Sequence, residues 1–72
     1  MRAMKRAPVT SSCIASVGYE AELATLEVEF ASGVVYRYFA VPAAVHFRLM
    51  SAASKGAFLN RFLRDVFPFA RS

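Results

Sequence analysis

The sequence predicts an α+β domain: a three-stranded antiparallel β-meander followed by two C-terminal helices packed on one face. Three observations carry this expectation. The chain has 72 residues, which is room for one hydrophobic core and no second domain. Its apolar spacing changes once, near Val41-Pro42, from alternation with period 2 to recurrence every three or four residues. Between the two best alternating runs lies Ala31-Ser32-Gly33, where a tight three-residue hairpin loop asks for glycine at its third position.

The first strand is read over Ser12 to Tyr19, with Cys13, Ala15, Val17 and Tyr19 at alternate positions. Ile14 falls on the opposite parity and Gly18 sits near the end, which leaves room for a bulge or an irregular finish. In the second strand, within Leu23 to Phe30, Leu26, Val28 and Phe30 share one face, and Thr25, Glu27 and Glu29 the other. A three-residue loop then sets Phe30 opposite Val34, Val28 opposite Tyr36, Leu26 opposite Tyr38, and Glu27 opposite Arg37. A two-residue loop would place Glu29 against Tyr36 and mix charge into the core, so it is rejected. The chosen register turns Tyr36 and Tyr38 inward as core tyrosines whose hydroxyls reach a partner at the edge. Val35 and Phe39 flank Arg37 on the face left open.

Pro42 suits the first turn of a helix that runs to about Ala53 with Val45, Leu49 and Ala52 inward. Ser54 reads as the N-cap of a second helix whose stripe is Phe58, Leu59, Phe62, Leu63 and Val66, stopped by Pro68. Asn60, Arg61 and Arg64 share the polar side of that helix.

Residues 1–10, with Arg2, Lys5 and Arg6, are expected to form a flexible basic arm, and residues 11–72 the domain itself. The net charge of +4 is segregated: Glu20, Glu22, Glu27 and Glu29 lie in the strands, while Arg48, Lys55, Arg61, Arg64 and Arg71 follow them. A core of this size rarely supplies more than about 3–5 kcal/mol. Cys13 is the sole cysteine, so no intrachain disulfide forms, and a reducing, cytoplasmic location is expected. No apolar stretch follows the basic start as a secretory signal would need. The longest uncharged apolar run, Phe39 to Val45, contains Pro42 and falls far short of the ~20 residues that cross a bilayer. No membrane association is expected.

Catalysis is not expected either. His46 is the only histidine and Cys13 the only cysteine, which leaves no metal-ligand spacing, no nucleophile paired with a base in the sequence, and no cofactor motif. Glu27 and Glu29 share a strand face about 7 Å apart, a separation that suits paired carboxylates. Beside Arg37, with no apolar pocket to raise either pKa, both stay ionised.

The order Ser11-Ser12, Val17-Gly18-Tyr19, Leu26 to Phe30, Gly33, Tyr36-Arg37-Tyr38, Val41-Pro42 and Ser54-Lys55-Gly56 with Phe58 and Asn60 resembles the KTSC domain. That short family is named for its place at the C-terminus of some lysyl-tRNA synthetases and also occurs as stand-alone bacterial proteins. The resemblance implies a small module without established activity, linked to RNA through its fusion to a tRNA-charging enzyme.

The function expected is therefore binding. The first reading is RNA, or an RNA-associated protein, held at phosphates by Lys55, Arg61, Arg64 and Arg37 with Lys5 and Arg6 of the arm. Lys55 and Gly56 open the second helix, where free N–H groups favour an anion, or where Ser54 simply caps an ordinary helix. The alternative is a protein-interaction module, a monomer or weak homodimer, that uses surplus apolar groups such as Phe67 and Phe69.

Overall fold

The hairpin forms as its loop length requires. In the structure, a computed structural model that describes residues 6–71, the strand Thr25–Phe30 pairs with Val35–Tyr38. The pairs are Leu26 with Tyr38, Glu27 with Arg37, and Val28 with Tyr36. The Phe30 amide donates to the Val34 carbonyl at 2.9 Å and the Gly33 amide to that of Phe30 at 2.9 Å. Gly33 sits at φ +93°, a left-handed conformation that a side chain would strain. Met1–Lys5 and Ser72 lie outside the described residues, and with them the expected cations Arg2 and Lys5.

The expectation of three strands is corrected: among the described residues the sheet has five. In chain order they are β1 (Ala7–Pro8), β2 (Ile14–Glu20), β3 (Thr25–Phe30), β4 (Val35–Tyr38) and β5 (Phe69–Arg71), antiparallel neighbours throughout. The expected meander is the centre, β2 to β4. At one edge β1 pairs Ala7 with Val17 and Pro8 with Ser16, so two residues of the expected arm form an edge strand. Pro8 lacks an N–H and is tolerated because, among the described residues, β1 is an edge strand. At the other edge β5 returns after the helices to pair Tyr36 with Arg71 and Tyr38 with Phe69. Strands of two and three residues are too short to show a period, which is why they escape a reading based on alternation.

The irregularity expected in the first strand is present. Between Ile14 and Ser16 the β2–β3 register shifts, and the extra residue turns both Ile14 and Val17 into the core although their parities differ.

Helix α1 (Ala43–Ser51) begins just after Pro42, its N-cap, and ends two residues short of Ala53. Helix α2 (Lys55–Phe62) starts at the expected cap: the Ser54 hydroxyl accepts from the Ala57 amide at 3.3 Å. It stops at Phe62, before Val66, and the chain reverses through Asp65 at φ +63°. The expected apolar stripe therefore ends with Leu63, and Val66 is exposed. Leu49, Leu59 and Leu63 join Ile14, Val17, Leu26, Val28 and Tyr38 in one core, so both helices cover the same sheet face. The Arg48 guanidinium lies 5.4 Å from the Phe58 ring centre and 5.1 Å from that of Phe62, a cation–π contact joining α1 to α2.

Gly56 lets α2 close on the start of β2. A Cβ placed on it would fall well inside van der Waals contact of Cys13 Sγ. We expect Gly56→Ala to lower stability by about 1 kcal/mol, because crowding of about 1–3 kcal/mol exceeds the gain of up to about 1 kcal/mol in helix propensity. In a Cys13→Ala background the same change should be neutral or stabilising. Urea melts of the four proteins test this, and an equal cost in both backgrounds would remove Cys13 as the cause.

Candidate functional site

The two faces of the sheet treat their charges differently. On the face away from the helices Glu27 is only 5% exposed, held between guanidiniums. Arg6 Nη1 meets one carboxylate oxygen at 2.5 Å and Arg37 Nε the other at 2.8 Å. Ser16 donates its hydroxyl to Glu29 at 2.9 Å. These are charge-assisted bonds: Arg6, just ahead of β1, reaches past β2 to Glu27 on β3, while Ser16 on β2 and Arg37 on β4 bond to β3 from either side. The Glu27 and Glu29 carboxylates are both engaged by side chains of other segments.

On the helix-bearing face the helices leave one stretch of sheet uncovered. A groove of about 670 Å³ opens between the end of α2, the hairpin loop and the β4–β5 edge. Sheet register builds its floor: Tyr36 and Tyr38 on β4 stand beside Arg71 and Phe69 on β5, with Phe30 across from them on β3. The Tyr36 ring meets Phe30 at 5.5 Å and 84°, and Phe69 at 5.4 Å and 80°, both edge-to-face. Asn60, Arg64 and Asp65 complete the opposite wall. Burial raises the pKa of the Tyr38 phenol, reinforced by Tyr36 and Asp65 and opposed by Arg64, so this hydroxyl stays protonated.

Elsewhere on the same face Tyr19 stacks on His46 at 4.6 Å and 12° and donates its hydroxyl to the Val41 carbonyl at 2.6 Å. Burial lowers the His46 pKa. Among the described residues no group of three His, Cys, Asp or Glu is placed to hold a metal ion, and no helix is long and apolar enough to cross a membrane.

Against known families, residues 10–67 match the model of the KTSC domain. The chain belongs to the KTSC domain family. A KTSC domain protein from Yersinia pestis, known from its crystal structure, superposes with a TM-score of 0.90 at 39% identity, over 97% of this chain and 99% of that one. An uncharacterised protein of Stutzerimonas stutzeri is 46% identical over 61 residues, 85% of this chain and 86% of that protein. The lysine–tRNA ligase of Nostoc punctiforme is 45% identical over 58 residues, 81% of this chain but 10% of the ligase. The chain therefore spans a tenth of that enzyme.

The cations singled out from the sequence are dispersed across this KTSC domain. Lys55 turns its Nζ to the Ala52 carbonyl at 3.3 Å, bridging α2 to the segment just after α1. Arg61 lies 5.4 Å from the Phe62 ring centre. Arg6 and Arg37 hold Glu27 on the other sheet face, and Lys5 is outside the described residues. Of the five that are described, only Arg64 lines the groove. Its companion there is Arg71, which sequence reasoning passed over because the tail gave no sign of a strand. The KTSC motif residues hold structural posts: Gly33 turns the hairpin, Ser54 caps α2, Gly56 admits Cys13, and Tyr38 fills the core. Tyr36 is half-buried and faces the groove. The reserve apolar residues also divide, since Phe67 packs against the core while Phe69 is 53% exposed over the groove.

Proposed function

We propose that this KTSC domain is a non-catalytic RNA-binding module that engages phosphates through Arg64 and Arg71 without reading sequence. The observation that carries the reading is their convergence: two cations from separate segments border one groove, although no pattern in the chain aligns them. The likeness to a segment of lysine–tRNA ligases adds to it, and a net charge of +4 favours a polyanion over an acidic-surface repellent to it. The non-catalytic part of the reading is supported by Glu27, whose carboxylate is engaged by two guanidiniums.

Titration of the protein with mixed RNA at low and high salt tests the reading. Affinity should fall steeply with salt, with a log–log slope of about 0.7–0.9 for each phosphate contact. An Arg64→Gln/Arg71→Gln variant should bind all RNAs more weakly and lose about one to two units of slope. Absence of binding, or binding indifferent to salt, would transfer the function to a protein partner or a second copy.

A further inference from the structure

The cations explain only the rim of the groove, and its floor is aromatic. Phosphates need no rings, yet Phe30, Tyr36 and Phe69 line the same groove as Arg64 and Arg71. The two edge-to-face contacts set Tyr36 across its neighbours, so the three rings line a cleft instead of closing into a stack. Phe69, half exposed at the edge of the sheet, keeps ring surface available. A volume of about 670 Å³ lies in the range of roughly 300–1,000 Å³ typical of small-ligand sites. Asn60, on the opposite wall, carries the donor and acceptor of a side-chain amide.

We infer that the groove receives an unpaired nucleobase of a single-stranded RNA, which stacks on the exposed Phe69 ring with its edge towards Tyr36 while Arg64 and Arg71 hold its flanking phosphates. The inference rests on the RNA-binding reading and narrows it to unpaired strands. A base inside a duplex has both faces covered by its neighbours and cannot enter, whereas a single strand offers a stacking face at every nucleotide. The stacking is indifferent to base identity, which agrees with contact that reads no sequence. Asp65 beside Arg64 lines the groove as well and repels phosphate, so Arg71 carries the larger share of the phosphate contact. An acidic peptide would satisfy the two cations but leave the rings unused.

The test compares a 12-nucleotide single-stranded RNA of mixed sequence with an RNA duplex of the same length, using the full chain at one moderate salt concentration. The single strand should bind at least about tenfold more tightly, and Phe69→Ala should weaken its binding roughly 5- to 150-fold, the worth of one base–aromatic stack. In the unsubstituted protein the ring protons of Tyr36 and Phe69 should shift on addition of the strand, a readout independent of whether the variant folds. Equal affinity for strand and duplex, or unshifted ring protons, would overturn the stacking inference and leave phosphate binding standing. Binding to neither RNA would overturn both. A poly-glutamate peptide that binds as tightly as the strand would overturn the inference in favour of an acidic protein partner.

Discussion

Leu49→Ala should leave the domain largely unfolded at physiological temperature. Leu49 is 0% exposed and is the one fully buried side chain of α1, with Val45 and Met50 packed only partly against the core. Truncating a buried leucine costs about 2–5 kcal/mol from lost transfer energy and an unfilled cavity. A domain of this size holds about 3–5 kcal/mol in total, so the loss is comparable to the whole. Phe47→Ala on the same helix provides the contrast: that ring is 70% exposed, and its removal should stay within about 0.5 kcal/mol. Urea denaturation followed by far-ultraviolet circular dichroism measures both. A Leu49→Ala protein that loses less than about 1 kcal/mol would mean that α1 contributes little to the core.

The second large effect is expected at Glu27. Its carboxylate is buried while the Arg6 and Arg37 side chains remain 30% and 31% exposed. Removing the buried member of an ion pair costs up to about 3–5 kcal/mol when the partners are left dry. Here the two guanidiniums keep contact with water, which brings the expected cost of Glu27→Ala down to about 2 kcal/mol. Glu27→Gln keeps the shape and one acceptor and should lose about half as much. The Arg6→Gln/Glu27→Gln pair measured as a double-mutant cycle should show coupling, because the residues share a hydrogen bond. Strict additivity would mean that Arg6 is not a partner in solution. Since the triad lies on the sheet face opposite the groove, folded Glu27→Gln should bind RNA no more weakly than the parent.

The parts of the fold legible in the sequence were those in which several local rules agree. The Glu27–Arg37 register follows from loop length, from Gly33 at the one position needing positive φ, and from the requirement that Leu26, Val28 and Phe30 share a face. Ser54 is legible for the same reason, as a capping residue ahead of an apolar stripe. Ile14 broke the alternation, and the bulge accounts for it. The edge strands were not legible because pairing, not composition, makes them: Ala7–Pro8 and Phe69–Arg71 become strands only against β2 and β4.

The same distinction governs the candidate site. The register predicts Tyr36 in the core, and its ring is on the helix-bearing face, but α2 ends at Phe62 and leaves that stretch uncovered. The end of a helix is the least certain feature of a periodic pattern, and here it separates a sealed interior from an open cleft. Arg64, expected on the polar side of the second helix, lies just past that helix's end, and Arg71 acquires its place only through the pairing with Tyr36.

That short returning strand has a consequence for how the cleft behaves. β5 contributes three residues, all exposed, and joins β4 last in the chain. Few buried contacts hold it, so its detachment costs less than opening β2, β3 or β4. Each detachment would carry Phe69 and Arg71 away together and dissolve one wall, so occupancy of the cleft and attachment of the last strand are linked: whatever fills the space keeps the strand in place.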